Sequence, residues 1–295
     1  MTTKDKSSAQ ANRGVSPMQL AMRRLMKNRL AGFALVVLLL LVLVACFADV
    51  IAPHDRDAVN LMNRFGKPSE THLLGADEMG RDVLSRLIYG TQASLLVGLG
   101  STTLSICIGV VLGALSGYFG GWIDQLVMRI VDVFMCFPFF LMAIVIASII
   151  GPSIGTVVFV SGILGWPSLA RMVRAEVLSL KQREFVEAAR ALGLSSFNII
   201  FTHILPNILS VIVVYATLGI ASGILGEAGL SYLGLGVKQP QPSWGNMLSA
   251  AQNMTALRFY PWLWIPAGVM ILVTVLAINI LGDALRDALD PKQKV

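Results

Sequence analysis

Long stretches of this chain carry no Asp, Glu, Lys or Arg, among them Leu30 to Ala48, Leu87 to Ile123, Val133 to Ala170 and Phe259 to Gly282. A helix needs about 20 apolar residues to cross the hydrocarbon core of a bilayer, so each stretch is long enough to span one, and the middle two exceed a single crossing. Turn signals and flanking charges divide them, with Gly151-Pro152-Ser153 as a tight turn inside the third. The pattern predicts six helices, over Leu30–Val50, Ala93–Gly117, Leu126–Ile150, Ile154–Val173, Ile208–Leu230 and Trp262–Gly282. The expected organisation is a polar tail (1–29), a first span (30–50), an outer segment rich in Pro, Asp and Asn (51–90), a core of five spans (91–283) and a second tail (284–295). Within the first tail, Ser16-Pro17 and the Met, Leu and Arg residues after it predict an amphipathic helix on the membrane surface.

The second predicted helix carries a stripe of small residues. Ser101, Ser105, Gly109, Gly113 and Gly117 recur every four positions. That spacing places them on one face, where a neighbouring helix can approach to backbone contact. A few charges also fall in or beside spans. Arg129 and Asp132, three apart, can pair on one helix face close to Asp124, a structural ion pair at the cytoplasmic end. Glu227, near the end of the fifth span, either lines a translocation cavity or gate or caps the helix end, since a membrane-embedded charge is costly unless it faces protein or water.

Composition agrees with an all-α polytopic membrane protein. Of 295 residues, 55% are hydrophobic and 14% charged, against about 25% charged in a soluble domain. The formal charge of +6 is not spread as a nucleic-acid surface would need. Arg13, Arg23, Arg24, Lys27 and Arg29 precede the first span; Arg171, Arg174, Lys181, Arg183 and Arg190 follow the fourth; Arg286, Lys292 and Lys294 follow the sixth. Six crossings put all three clusters on one side, and the positive-inside bias makes that side, with both termini, cytoplasmic. The excess is thus an orientation signal, and membrane lipid rather than nucleic acid is the expected surrounding. Cys46, Cys107 and Cys136 lie inside predicted spans and are expected to be small packing residues. Leu43-Val44-Ala45-Cys46 matches a lipid-attachment box, but cleavage there would leave a polytopic remainder, so the match is read as chance.

No catalytic constellation is visible and no metal site is expected. His54, His72 and His203 lie far apart in sequence, with no zinc spacing, no nucleophile elbow and no phosphate-binding G-x-x-x-x-G-K-[ST]. The chain cannot hydrolyse ATP in the P-loop manner, so uphill transport would draw energy from a partner or an ion gradient.

One segment stands apart, "REFVEAARALGLSSFNIIFTHILPN" from Arg183 to Asn207. Lys181–Leu192 reads as a short helix with Phe185, Ala188, Ala189 and Leu192 on one face. Gly193 suits the left-handed position that ends a helix, Ser195 or Ser196 can cap the next, and Pro206 marks the start of the fifth span. Taken alone this is a helix-friendly surface segment. Its spacing, Glu187-Ala188-Ala189, then Gly193, then Leu205-Pro206, resembles the EAA loop of the membrane subunits of bacterial ATP-binding-cassette importers. "HLLGADEMGRDVLSRLIYG" from His72, "YFGGWIDQLVMRIVDVFMCFP" from Tyr118, "LSYLGLGVKQPQPSWGNML" from Leu230 and "NILGDALRDALDPK" from Asn279 are similar to the C-type permeases of dipeptide, oligopeptide and nickel importers. The sequence departs from that pattern at Ala76, usually Thr, and at Gln92, often Arg; His203 stands where the general EAA pattern has an aliphatic residue, but "HILPN" is common in the peptide-transport branch.

The resemblance implies a type I permease fold in the bacterial inner membrane, partnered by a B-type permease, two ATPase subunits that carry ATP and magnesium, and an external substrate-binding protein. It implies ATPase coupling through Glu187, Ala188, Ala189, Gly193, Leu205 and Pro206, no cofactor on this chain, and a peptide substrate with nickel chelates as the alternative. An ion-driven transporter would need more intramembrane charge than Glu227 supplies, and a scaffold protein would not need the glycine-ended loop.

Overall fold

The computed structural model describes residues 28–289, so the predicted amphipathic helix of the first tail and the lysines at 292 and 294 lie outside the described residues. Among those described there is helix and turn but no strand, apart from one isolated bridge between Ala76 and Asp82. The principal helices are α1 (Arg29–Cys46), α2 (Val83–Phe119), α3 (Gly121–Cys136), α4 (Phe139–Ile150), α5 (Ile154–Leu180), α6 (Glu184–Ala191), α7 (Leu205–Tyr232), α8 (Trp244–Leu248), α9 (Met254–Phe259) and α10 (Ile265–Leu289). Caps fix several starts. Asn28 Oδ1 accepts from the N–H groups of Leu30 and Ala31 at 3.1 and 3.2 Å, and Ser153 Oγ accepts from that of Thr156 at 3.0 Å.

Among the described residues, five helical runs are long and apolar enough to cross a membrane: α1, α2, α5, the run Ser196–Tyr232 that includes α7, and α10. The predicted third span, Leu126–Ile150, is not one straight helix. It breaks between α3 and α4, which meet at 90°. Pro138 has no N–H to continue the ladder and forces the preceding residue out of the helical region. Phe137 accordingly sits at φ −99°, ψ 137°.

Spans also run past their predicted ends. α2 begins ten residues before Ala93 and, at 37 residues, is about 55 Å long against a hydrocarbon core of about 30 Å. Its first turns therefore belong to the outer face rather than to a separate external segment. α5 likewise continues past Val173 to Leu180.

The small-residue stripe of α2 is buried throughout, and its lower part meets the backbone of α5 at a constant offset of 57 residues. Ser105 Oγ donates to the carbonyl of Gly162 at 2.8 Å. A Cβ on Gly109 would stand 3.0 Å from the Trp166 carbonyl, one on Gly113 2.5 Å from that of Ala170, and one on Gly117 2.9 Å from that of Arg174. Ser101 turns instead to α7, where a Cβ on Gly223 would lie 2.7 Å from its hydroxyl, so the stripe serves two partners.

Because both sequence positions advance together along this contact, α2 and α5 run parallel. The bent pair α3–α4 must then return the chain across the membrane, which makes six crossings. Pairs predicted within α3 form between helices instead: Asp124 binds Arg174 at 2.5 and 2.6 Å, and Asp132 binds Arg171 at 2.9 Å, while Arg129 takes part in neither. The cysteines are exposed, not packed inside; Cys46 and Cys107 line one apolar groove with Leu95 and Leu99.

The α2–α5 contact makes a prediction. Gly113→Ala should lower stability by about 1–3 kcal/mol, since a neighbouring backbone must move, and Gly113→Leu should prevent recovery of folded chain in size-exclusion chromatography. An unchanged melting curve for Gly113→Ala would show that the helices are not in backbone contact there.

Candidate functional site

At the end of α5 the chain turns through Lys181 and Gln182, and α6 begins at Glu184 rather than at Lys181. Arg183 is the extended N-cap, with Glu184 and Glu187 in the first turn and Arg190 in the last, signs that suit the helix dipole. The helix ends in a Schellman arrangement: Leu194 N–H donates to the Ala189 carbonyl at 3.2 Å and Gly193 N–H to that of Arg190 at 3.0 Å. Gly193 has φ +79°, and an added Cβ would meet nothing within 4 Å. Glycine is demanded here by backbone conformation, not by crowding.

The inner face of α6 differs from the predicted one. Val186 and Ala189 are buried, packed in one cluster with Ile199, Ile200 and Ile204, with Val173 and Val177 of α5, and with Ala114 and Tyr118 of α2. Phe185, Ala188 and Leu192 face outward beside Glu187. The isoleucine shelf takes one edge of the apolar stripe and leaves the other edge exposed, so the four predicted neighbours are divided. Arg190 and Lys181 lie over the Tyr118 ring, at 5.9 and 5.7 Å from its centroid.

Beyond Gly193, Ser195 caps a helical turn that passes into a π-helix over Ile199–Ile204 and then into α7. Pro206 clashes with an ideal helix one turn upstream, and the wider π turn relieves it there. Leu205 N–H accordingly reaches back to the Ile200 carbonyl. The result is a rigid elbow, with Leu205 and Pro206 at the base of α7 and Gly193 at the tip.

Glu227 has no exposed surface and therefore lines no cavity in this chain, nor does it cap α7, which continues to Tyr232. Its carboxylate accepts hydrogen bonds from Ser231 Oγ at 2.6 Å, Ser243 Oγ at 2.7 Å and Ser94 Oγ at 3.1 Å. It thereby ties α2, α7 and the short helix α8 together. Trp244, fully buried, adds bonds from its backbone N–H to Ser94 Oγ at 3.2 Å and from Nε1 to the Leu87 carbonyl at 3.3 Å.

Residues 109–295 match the family of binding-protein-dependent transport system inner membrane components. The chain belongs to that family of permeases. Residues 16–68 match the N-terminal membrane domain of oligopeptide transport permease C. A putative peptide permease protein of Brucella ovis is 44% identical over 279 residues, covering 95% of this chain and 92% of that one. The dipeptide transport system permease protein DppC of Alkalihalophilus pseudofirmus is 42% identical over 280 residues, with 95% and 91% covered. The oligopeptide permease OppC of Bacillus subtilis is 41% identical over 273 residues, with 92% and 88% covered. An inward-facing structure of the MetNI methionine ABC transporter shares the fold, with a TM-score of 0.58 at 20% identity over 70% of this chain and 96% of that one. The permease is a transport subunit of an ABC importer and not an enzyme; ATP hydrolysis lies in separate subunits.

In this permease the outer motif starting at His72 makes a polar lattice that sequence reading did not resolve. Asp77 accepts from Arg81 Nε at 2.7 Å and lies 3.5 Å from Arg86 Nε. Arg81 reaches Gln239 at 3.1 Å and Arg86 reaches the Pro240 carbonyl at 3.1 Å, so two buried arginines fasten the outer segment to the loop before α8. A cavity of about 500 Å³, lined in part by Arg64, Asp77, Arg81 and Asn246, opens beside them. The signal was present as alternating Asp and Arg, but their partners lie about 160 residues away. The two departures from the family pattern are accommodated: Ala76 is fully buried, and Gln92 Nε2 donates to the Ala45 carbonyl of α1 at 2.7 Å.

Asp77→Ala leaves Arg81 and Arg86 without their shared counter-charge, and should cost about 3 kcal/mol, read as a lower melting temperature of the detergent-solubilised chain. Arg56→Ala, at a half-exposed neighbouring pair, should cost less; equal effects of the two would remove the lattice from the stability of the outer face. Gly193→Ala should cost about 1–2 kcal/mol from its left-handed backbone alone, with Gly193→Asn milder; local hydrogen exchange in α6 measures both.

Proposed function

We propose that this chain is the C-type permease subunit of an ATP-driven peptide importer in the bacterial cytoplasmic (inner) membrane. It pairs with a B-type permease, two ATPase subunits that hold ATP and magnesium, and an external substrate-binding protein. α6 docks in a cleft of one ATPase subunit through Glu187, Ala188 and their exposed neighbours, while Ala189 turns inward to hold the helix on the elbow. Closure of the ATPase pair moves α6 as a lever, and α2, α5 and α7 rock between inward-open and outward-open states.

The observation that carries this reading is the division of α6 into two faces. Its inner face shares a packed cluster with α2, α5 and the π turn, while its outer face presents Phe185 at 41% and Leu192 at 81% exposure, followed by Phe197 and Phe201. A helix held rigidly on one side and left apolar on the other suits a groove in a second protein. Peptide as cargo rests on the names of the relatives, which include dipeptide, oligopeptide and glutathione permeases.

In proteoliposomes with the partner subunits, Glu187→Lys and Gly193→Asp are expected to abolish uptake and the stimulation of ATP hydrolysis by loaded binding protein, with membrane insertion intact. Wild-type uptake by either variant would remove the coupling role. Titration of the cognate external binding protein with a peptide panel and with nickel chelates should detect peptide binding; affinity for nickel chelates alone would replace the peptide assignment.

A further inference from the structure

His54 and His72 stand 18 residues apart with no metal-binding spacing, yet the fold brings both rings to one carboxylate. Asp82 is the N-cap of α2, and its Oδ2 accepts from the N–H of Ser85 at 2.7 Å and from Ser85 Oγ at 2.8 Å. Its other oxygen, Oδ1, has Nδ1 of His72 at 2.8 Å and Nδ1 of His54 at 3.8 Å. The two rings lie side by side, centroids 4.7 Å apart and 30° from parallel. Among the described residues, these three side chains place their ligand atoms within 4.8 Å of one another.

Hydrogen bonding accounts for only part of this arrangement. His72 makes an ordinary bond to Asp82, but 3.8 Å is too long for one from His54. The second ring is held near the carboxylate by its own backbone, whose N–H donates to Ser85 Oγ at 3.0 Å. In a tetrahedral site with bonds of about 2.1 Å, ligand atoms stand about 3.4 Å apart. The two separations from Oδ1, 2.8 and 3.8 Å, bracket that spacing, and the two imidazole nitrogens close on one another from no more than 4.8 Å.

We propose that His54, His72 and Asp82 bind a divalent transition-metal ion of the zinc, nickel or copper class at the outer mouth of the permease. Two imidazoles and one carboxylate favour such ions over magnesium and calcium, which prefer all-oxygen sites. Ser85 orients the carboxylate as an outer-shell partner, and the carboxylate charge offsets the positive end of α2. Side-chain exposure rises from 1% at Asp82 through 17% at His72 to 39% at His54, which leaves the fourth position open to solvent. When the ion replaces the His72–Asp82 hydrogen bond, the neutral ring carries its proton on Nε2 instead of Nδ1.

The ligands come from three separate segments. His54 follows the short helix Ala48–Ile51, His72 sits in a turn closed by Ser69, whose N–H donates to the His72 carbonyl at 2.9 Å, and Asp82 opens α2. A bound ion therefore staples two outer loops to a span and is a resident of the fold, not its cargo. An open cavity of about 590 Å³ beside His54 carries Asp49, Asp55 and Asp57 against the single Arg56, a field that draws cations in.

The test needs no transport and is independent of the coupling and peptide assignments. Purified full-length chain in detergent, with any affinity tag removed and metal stripped by chelator, is titrated with zinc against a chromophoric chelator and melted with and without zinc. The expected result is one equivalent bound and a raised melting temperature in the wild type, both lost in His54→Ala. That variant keeps the His72–Asp82 hydrogen bond, so its metal-free melting temperature should match the wild type. No stoichiometric zinc site in the wild type, retention of the site in His54→Ala, or equal binding of magnesium would each overturn the proposal.

Discussion

The backbone contact between α2 and α5 is the constraint on which the rest of the permease depends. Helices in lipid gain little from burying apolar side chains against one another, because the lipid is as apolar as they are; close packing and polar contacts decide which helices associate. Here glycines and serines at every fourth position of α2 let the carbonyls of α5 approach to within reach of a Cβ that is not there. A fixed register of 57 residues follows, and with it the parallel course of the two helices. The bend at Pro138 and the return of the chain through α3–α4 are obligations created by that register.

The same contact ends in the cluster that holds α6. Gly117 is followed at once by Tyr118, whose ring packs with Val173, Val177, Val186 and Ala189 and carries two basic side chains over it. Nearby, Ser116 and Arg174 both donate to Asp124, joining the start of α3 to the far end of the α2–α5 contact. α6 is thereby packed directly onto the end of the α2–α5 pair. The exposed Asp132–Arg171 pair adds little to this, being about half open to water on both sides.

Much of the fold was legible in the sequence because the bilayer imposes a coarse rule: charge-free runs of sufficient length become spans. The helix stop at Gly193 was legible for a local reason, since a left-handed backbone selects glycine wherever it occurs. What escaped was set by tertiary contact. The break at Pro138 was written in the chain, but the apolar run continues through it and hydrophobicity alone cannot register a bend. Asp124 and Asp132 found arginines on α5 instead of Arg129 on their own helix, because distance along a sequence does not report which helix is adjacent. The inward edge of α6 was chosen by Ile199, Ile200 and Ile204, residues whose position depends on the π turn. The gathering of His54, His72 and Asp82 left no trace in spacing at all.

Glu227 has a consequence for biogenesis. The chain is made from its N-terminus, and when Glu227 reaches the membrane, Ser94 and the adjoining Ser231 are available, but Ser243 lies 16 residues further along. An acidic group in a span is unfavourable until its hydrogen bonds are complete. Ser243 Oγ then supplies the missing bond, and Trp244, bonded to Ser94 Oγ and the Leu87 carbonyl, holds the loop before α8 against α2. The polar contacts of this carboxylate are therefore complete only once the segment that carries α8 has followed α7, before the final span α10 is made.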